Sequence, residues 1–225
     1  MALHYNPRIV TKGLILALDA GDPSSYPGTG AIWSDLSSNG KYADIYGSPR
    51  NITVGGAKCF YLDDIGDRFA VRFGSTQPMN TLTLEAWIYP AASELSGGDR
   101  GCIFQGYAYL SWNKGNQQLS NYWYSTTNQG YHEPGVTMAR ENWHHLVSVW
   151  ETKDRTLRQY VNGTLVNTVS TYATAGYVYS DCNIGWEGDS RQFSGGISTI
   201  RVYNNALTSE EVLQNYNAQK NRHGR

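Results

Sequence analysis

Hydrophobic and polar positions alternate with a period of two through most of the chain. The clearest run is Trp143–Trp150, where Trp143, His145, Val147 and Val149 fall on one face and His144, Leu146, Ser148 and Trp150 on the other. That spacing predicts a sheet strand. A polar stretch, Glu151–Arg155, predicts a turn. Leu157, Gln159 and Val161 then alternate against Arg158 and Tyr160. Asn162-Gly163 follows and predicts a tight hairpin, because a two-residue type I′ turn requires positive φ at both central positions. Leu165, Asn167 and Val169 carry the next strand.

The same alternation predicts strands at Leu14–Asp19, Cys59–Leu62, Arg68–Phe73, Leu82–Tyr89, Asn183–Trp186 and Gly196–Tyr203, and a strand pair from Ile103–Trp112 and Gln118–Ser125. In Leu82–Tyr89, Leu82, Leu84, Ala86 and Ile88 oppose Thr83, Glu85, Trp87 and Tyr89. A period near 3.6 occurs once, at the end. Thr208 with Glu211 three residues on is a capping box, Leu207 and Val212 occupy the staple positions, and Val212, Leu213 and Tyr216 make an apolar stripe. About a dozen strands with alternating faces and one helix predict two packed antiparallel sheets, an all-β jelly-roll sandwich with a short C-terminal helix. The expected organisation is an N-terminal arm at 1–8, one domain at 9–219 with its helix at 208–219, and a tail at 220–225.

Composition narrows the function. The chain has 225 residues, enough for one well-packed sandwich, and a formal net charge of −1. So balanced a charge implies no nucleic-acid or polyanion partner. "GLILAL" is too short for a bilayer span or a signal core. Three widely spaced cysteines, Cys59, Cys102 and Cys182, are expected as free, buried thiols made in a reducing cytoplasm. Seven Trp and seventeen Tyr are the unusual feature.

Two long stretches carry a family resemblance. "NWHHLVSVW", "LRQYVNGTLV" and "IGWEGDSRQFSGGISTIRVYNNALTSEEV" resemble the laminin-G-like, concanavalin A-like lectin and glucanase superfamily. "GLILALDAGDPSSYPGTGAIWSDLSSNGKYADIYG" is similar to the laminin-G-like structural proteins of tailed bacteriophages. The resemblance spans roughly residues 9–219. It implies the lectin-type sandwich, and it implies a virion accessory role: a capsid decoration or cement protein, or a tail or fibre component. Such a protein would contact other virion proteins, oligomerise or sit on a repeated lattice, and leave the host cytoplasm within the particle. The other reading is a carbohydrate-binding lectin module. The resemblance also implies a structural Ca²⁺ near the N-terminal loops, with Asp19, Asp22, Asp35 and Asn39 as candidate ligands; the plainer reading of these residues is turn and cap hydrogen bonding.

Catalytic constellations are sparse. Retaining glycosidases need two carboxyl groups about 5–5.5 Å apart, which the glucanases of this fold set along one strand as E-x-D-x-x-E. No such motif occurs here; Glu85 has Trp87 two residues on, and Asp63, Asp64 and Asp67 read as turn residues. His144 and His145 point to opposite faces and cannot share a metal. We therefore expect no enzyme. The binding candidates are the aromatic residues between Tyr107 and Tyr131, namely Tyr107, Tyr109, Trp112, Tyr122, Trp123, Tyr124 and Tyr131, interleaved with Asn, Gln and Ser. Flat rings with polar edges suit sugars and protein interfaces, and equally suit cross-strand packing.

Overall fold

The computed structural model describes residues 8–225 apart from 75–76, 96, 107, 124–129, 152, 171–175, 179–180 and 189. Its strands, in chain order, begin with β1 (Leu14–Asp19), β2 (Ile32–Ser34), β3 (Tyr42–Tyr46), β4 (Arg50–Val54), β5 (Ala57–Leu62) and β6 (Arg68–Arg72). They continue through β7 (Gln77–Met79), β8 (Thr81–Pro90), β9 (Arg100–Gln105), β10 (Ala108–Asn113), β11 (Gln118–Trp123) and β12 (Gly130–His132). The last are β13 (His144–Glu151), β14 (Thr156–Val161), β15 (Thr164–Ser170), β16 (Gly176–Val178), β17 (Asp181–Ile184) and β18 (Gly195–Tyr203), followed by helix α1 (Ser209–Gln219) and a 3₁₀ turn (Lys220–His223).

The first sheet runs β15-β14-β13-β8-β18-β5-β4, with β1 also paired to β18; the second runs β12-β11-β10-β9-β17-β6-β3-β2. A small β16-β7 ribbon forms a separate sheet, with β16 against β10. Pairing is antiparallel throughout the named strands, as the alternating patterns require. The core fills the space between the two large sheets: Leu82, Leu84, Ala86, Ile88, Leu146 and Trp150 come from the first, and Phe69, Val71, Phe104, Leu110, Trp112 and Leu119 from the second. Trp33 and Phe69 of the second sheet meet Phe60 of the first, with ring centroids 4.9 and 4.8 Å from Phe60. These tilted aromatic contacts lock one layer to the other.

The Trp143–Val169 run forms the strands expected of it. Asn162 takes φ 51° and Gly163 φ 79°, the left-handed values that the hairpin demands. The helix begins where the capping box places it: Glu211 N donates to Thr208 Oγ1 at 3.2 Å and Thr208 N to Glu211 Oε2 at 2.9 Å. Leu207 and Val212 close the staple, both fully buried in one cluster with Val147, Val149, Tyr160 and Tyr203.

Two expectations change. Ile103–Trp112 is not one strand but two, β9 and β10, folded back on each other near Gly106. The apolar stripe of α1 is not Val212, Leu213 and Tyr216, because Leu213 is 46% exposed and Asn215 is buried in its place. The tail at 220–225 packs back on the domain: Arg222 Nη1 and Nη2 grip the two Asp19 carboxylate oxygens, each at 2.8 Å, and the His223 ring stacks on Trp87 at 3.9 Å. The three cysteines are free and buried; burial pushes the Cys59 thiol up to about 12, so it stays protonated.

The two sheets therefore differ on their outer faces. That of the first sheet lies beneath α1, the 3₁₀ turn and Val10, with apolar side chains around the buried Glu85–Arg201 pair. That of the second carries no helix among the described residues and is built from polar and aromatic side chains.

Candidate functional site

Register creates the surface. Across the outer face of the second sheet Tyr131 pairs with Tyr122, Tyr122 with Tyr109, Tyr109 with Gln105 and Gln105 with Asn183. Directly opposed residues on one face touch. The Tyr109 and Tyr122 rings meet edge to face at 5.8 Å, and those of Tyr122 and Tyr131 lie 4.9 Å apart. Amides continue the row: Gln105 Nε2 donates to the Tyr109 hydroxyl at 3.2 Å and Asn183 Nδ2 to Gln105 Oε1 at 2.8 Å.

One end of this face carries alternating arginines and rings. Arg100 lies over Tyr131 at 3.6 Å and Arg191 over the same ring at 5.9 Å. Arg191 Nη1 bonds Glu187 Oε1 at 3.1 Å; beside Glu187, Trp186 faces Arg68 at 4.8 Å, and Arg68 in turn lies 4.6 Å from Tyr46. Glu133 anchors the other flank, accepting from Asn113 at 2.6 Å, Asn116 at 2.7 Å and Arg100 at 2.9 Å. Partial burial works against the Glu133 charge, but these donors outweigh it and hold the carboxyl below its usual range. Burial pushes the Tyr131 phenol upward, so it remains a neutral donor and acceptor. The result is a set of rings, amides and charges held in place before any ligand arrives, which is what a shallow polar site requires.

The sequence candidates separate here. Tyr122 and Tyr131 are half-buried members of this face. Tyr109 and Trp112 are corrections: at 3% and 1% exposure they present no ring to a ligand, Trp112 because it points into the core between the sheets. Trp123 is the last residue of β11; its side chain, Tyr107 and Tyr124 lie outside the described residues. Arg100, Arg68, Trp186, Arg191 and Tyr46 escaped sequence reasoning. They come from four segments far apart in the chain, and no local motif joins them.

The calcium candidates do not form a cation cage. Asp19 spends both carboxylate oxygens on Arg222. Asp35 accepts from the Ala17 and Ser37 amides, each through Oδ1, and from Ser37 Oγ; Asp22 accepts from the Ser24 amide, and the Asn39 amide nitrogen donates to Leu14 O. Asp19 and Asp22 do line one cavity of about 280 Å³, but they share it with Arg201, whose charge opposes a cation. Among the described residues no group of three or more His, Cys, Asp or Glu side chains could hold a metal ion.

Glu85 points to the outer face of the first sheet and is sealed there beneath α1. It receives Arg201 Nη1 at 2.6 Å and Asn215 Nδ2 at 2.6 Å, with His145 Nε2 at 3.2 Å. Burial favours the neutral acid, yet Arg201 and the hydrogen-bonding partners win and lower the carboxyl to about 2. His144 faces the other side of the strand and bonds Ala139 O at 2.8 Å.

Two antiparallel sheets in this order, closed by one C-terminal helix, define a lectin-type jelly-roll sandwich. A family profile described as the concanavalin A-like lectin/glucanases superfamily (the third laminin G type) matches residues 63–213, and the chain belongs to that superfamily. Among solved structures it is similar to the binding domain of Paraclostridial Mosquitocidal Protein 1, with TM-score 0.72 and 16% identity over 93% of this chain and 53% of that one. It is similar to the botulinum neurotoxin serotype D ligand binding domain in complex with N-acetylneuraminic acid, with TM-score 0.72 and 12% identity over 93% and 52%. It is also similar to Trypanosoma rangeli sialidase in complex with the inhibitor DANA, with TM-score 0.64 and 17% identity over 94% and 34%. The chain spans about half the length of the toxin domains it matches. No curated protein sequence matches it.

Proposed function

We propose that the protein is a non-enzymatic carbohydrate-binding module and that its ligand lies on the outer face of the second sheet, over Tyr131, Tyr122 and the flanking arginines. One observation carries the reading: the Tyr131 ring is fixed from above by Arg100 at 3.6 Å, while Arg100 is itself held by Glu133. An aromatic platform with fixed amides and charges beside it matches the apolar faces and hydroxyl edges of a sugar. The outer face of the first sheet is covered by α1, whereas Tyr122 and Tyr131 stay partly exposed on the second. Support for binding rather than turnover comes from Glu85, the carboxylate within a central strand, which is engaged by three partners and buried. The neurotoxin domain solved with N-acetylneuraminic acid makes a sugar ligand consistent with the fold.

A glycan array probed with the intact protein and with Tyr131→Ala tests this. Saturable binding to defined glycans, weakened in the variant without loss of its melting transition, is the expected result. Absence of binding to every glycan would remove the proposal.

A place on a virion, as a decoration or a tail component made in the host cytoplasm, is carried by the resemblance of residues Ile9–Ser37 and Tyr203–Gln219 to bacteriophage proteins. Glycan adhesion and particle attachment are compatible in one subunit. Mass spectrometry of purified particles tests attachment: a fixed, symmetric copy number supports it, and absence from particles opposes it.

A further inference from the structure

Arg68 differs from every other arginine within a strand. Arg50 pairs with Asp63, Arg72 with Asp44 and Asp181, Arg100 with Asp99 and Glu133, Arg158 with Glu151 and Arg201 with Glu85. Arg68 has no carboxylate partner among the described residues, and its one hydrogen bond is a long contact from Nη1 to Gly66 O at 3.4 Å. Its guanidinium sits instead between two rings, 4.6 Å from Tyr46 and 4.8 Å from Trp186. Flanking rings hold the planar group while leaving the N–H donors around its edge available. Rings beside a cation shield it in part from water, which strengthens pairing with an incoming anion. Tyr46 is 38% exposed beside it, so a ring surface adjoins the cation.

We infer that Arg68, clamped between Tyr46 and Trp186, is the anion-reading position of the glycan surface, and that the preferred ligands carry an acidic sugar. The inference rests on the carbohydrate-binding reading above. Either a carboxylate or a sulfate ester could take two in-plane N–H bonds from one guanidinium, as a bidentate charge-assisted pair. Arg72, on the same strand face, cannot compete, because Asp44 at 2.9 Å and Asp181 at 2.7 Å already neutralise it.

The test uses matched glycans on one core, uncapped, capped with a carboxylated sugar, or sulfated, against the intact protein, Arg68→Gln, Arg68→Lys and Tyr131→Ala. The protein should bind at least one acidic form about tenfold tighter than the neutral core, the worth of one charge-assisted pair. Arg68→Gln should bring acidic and neutral forms to parity. Arg68→Lys keeps the charge without the fork, and should retain only part of the preference; it decides the matter if Arg68→Gln lowers the melting temperature. The carboxylated and sulfated arms identify the acid. Equal binding of all three forms by the intact protein, or a preference that survives Arg68→Gln in a folded protein, overturns the inference while leaving the glycan reading standing. Binding of none overturns both.

Discussion

Arg201 donates to Glu85 across 2.6 Å, and both side chains lie within the first sheet with almost no solvent contact. The pair is the hub of the C-terminal closure: Asn215 of α1 bonds the second Glu85 oxygen at 2.6 Å, the Tyr203 hydroxyl at 2.9 Å and, through its own Oδ1, the Val10 amide at 2.8 Å. Helix, sheet and N-terminal segment converge on one carboxylate.

Removing that charge strands Arg201 in the interior. Glu85→Gln should cost about 3–5 kcal/mol, the range for breaking a buried pair by deleting one partner. Urea unfolding measures it. The double variant Glu85→Leu with Arg201→Met should recover much of the loss, since no uncompensated charge then remains.

Acid should loosen the same region. Burial is the main reason that the His223 imidazole is depressed from its ordinary 6.5 to about 3, and Glu85 lies at about 2 against 4.5. Both groups bind protons more readily in the unfolded chain, so unfolding takes up protons and stability falls as pH drops. The His223 contribution fades from pH 6.5 toward 3, and that of Glu85 from 4.5 toward 2. Melting temperatures between neutral pH and pH 4 should decline steadily. His223→Phe keeps a ring against Trp87 without a titrating group, and should flatten the upper part of that decline.

Gly195 opens β18 at φ 130°, and a Cβ there would sit 2.1 Å from Tyr89 O in the neighbouring strand. Gly195→Ala must shift β8 or β18 in the middle of the first sheet. The expected loss is about 3 kcal/mol or more, combining backbone strain with overpacking. Thermal denaturation of the variant would show it as a large fall in melting temperature.

Calcium removal should change nothing. Asp19 is held by Arg222, and Asp35 by backbone amides and Ser37, so no ligand set is left waiting for a cation. A melting curve in excess chelator should overlay the untreated one. A clear downward shift, restored by Ca²⁺, would show a site formed with residues beyond these.

Local periodicity was enough for the helix and the longer strands, but not for β2, β4, β7, β12 and β16. The split of His144 and His145, the Asn162-Gly163 turn and the Thr208–Glu211 cap each depend on residues within a few positions, and each was readable in the chain. Where strands turned back without a strong signal, as near Gly106, alternation ran through the turn and β9 and β10 merged into one. The stripe on α1 misread Leu213 because hydrophobicity names a buried residue only on average. Here the buried position faces a charged hub, so it holds Asn215.

By itself the sequence determined the alternating strands and the terminal helix, because these follow from period, capping and turn chemistry within short windows, and its longer motifs carried the resemblance to the superfamily that the family profile matches. Only the tertiary structure decided which aromatic residues meet solvent and what lies beside them. Tyr109 and Trp112 vanish from the surface while Tyr122 and Tyr131 remain on it. Arg100 and Arg68 join them from distant strands, and Trp186 from the loop after β17, because register across a sheet brings together segments that are remote in the chain. The proposed binding face is a property of that pairing, which no stretch of sequence contains.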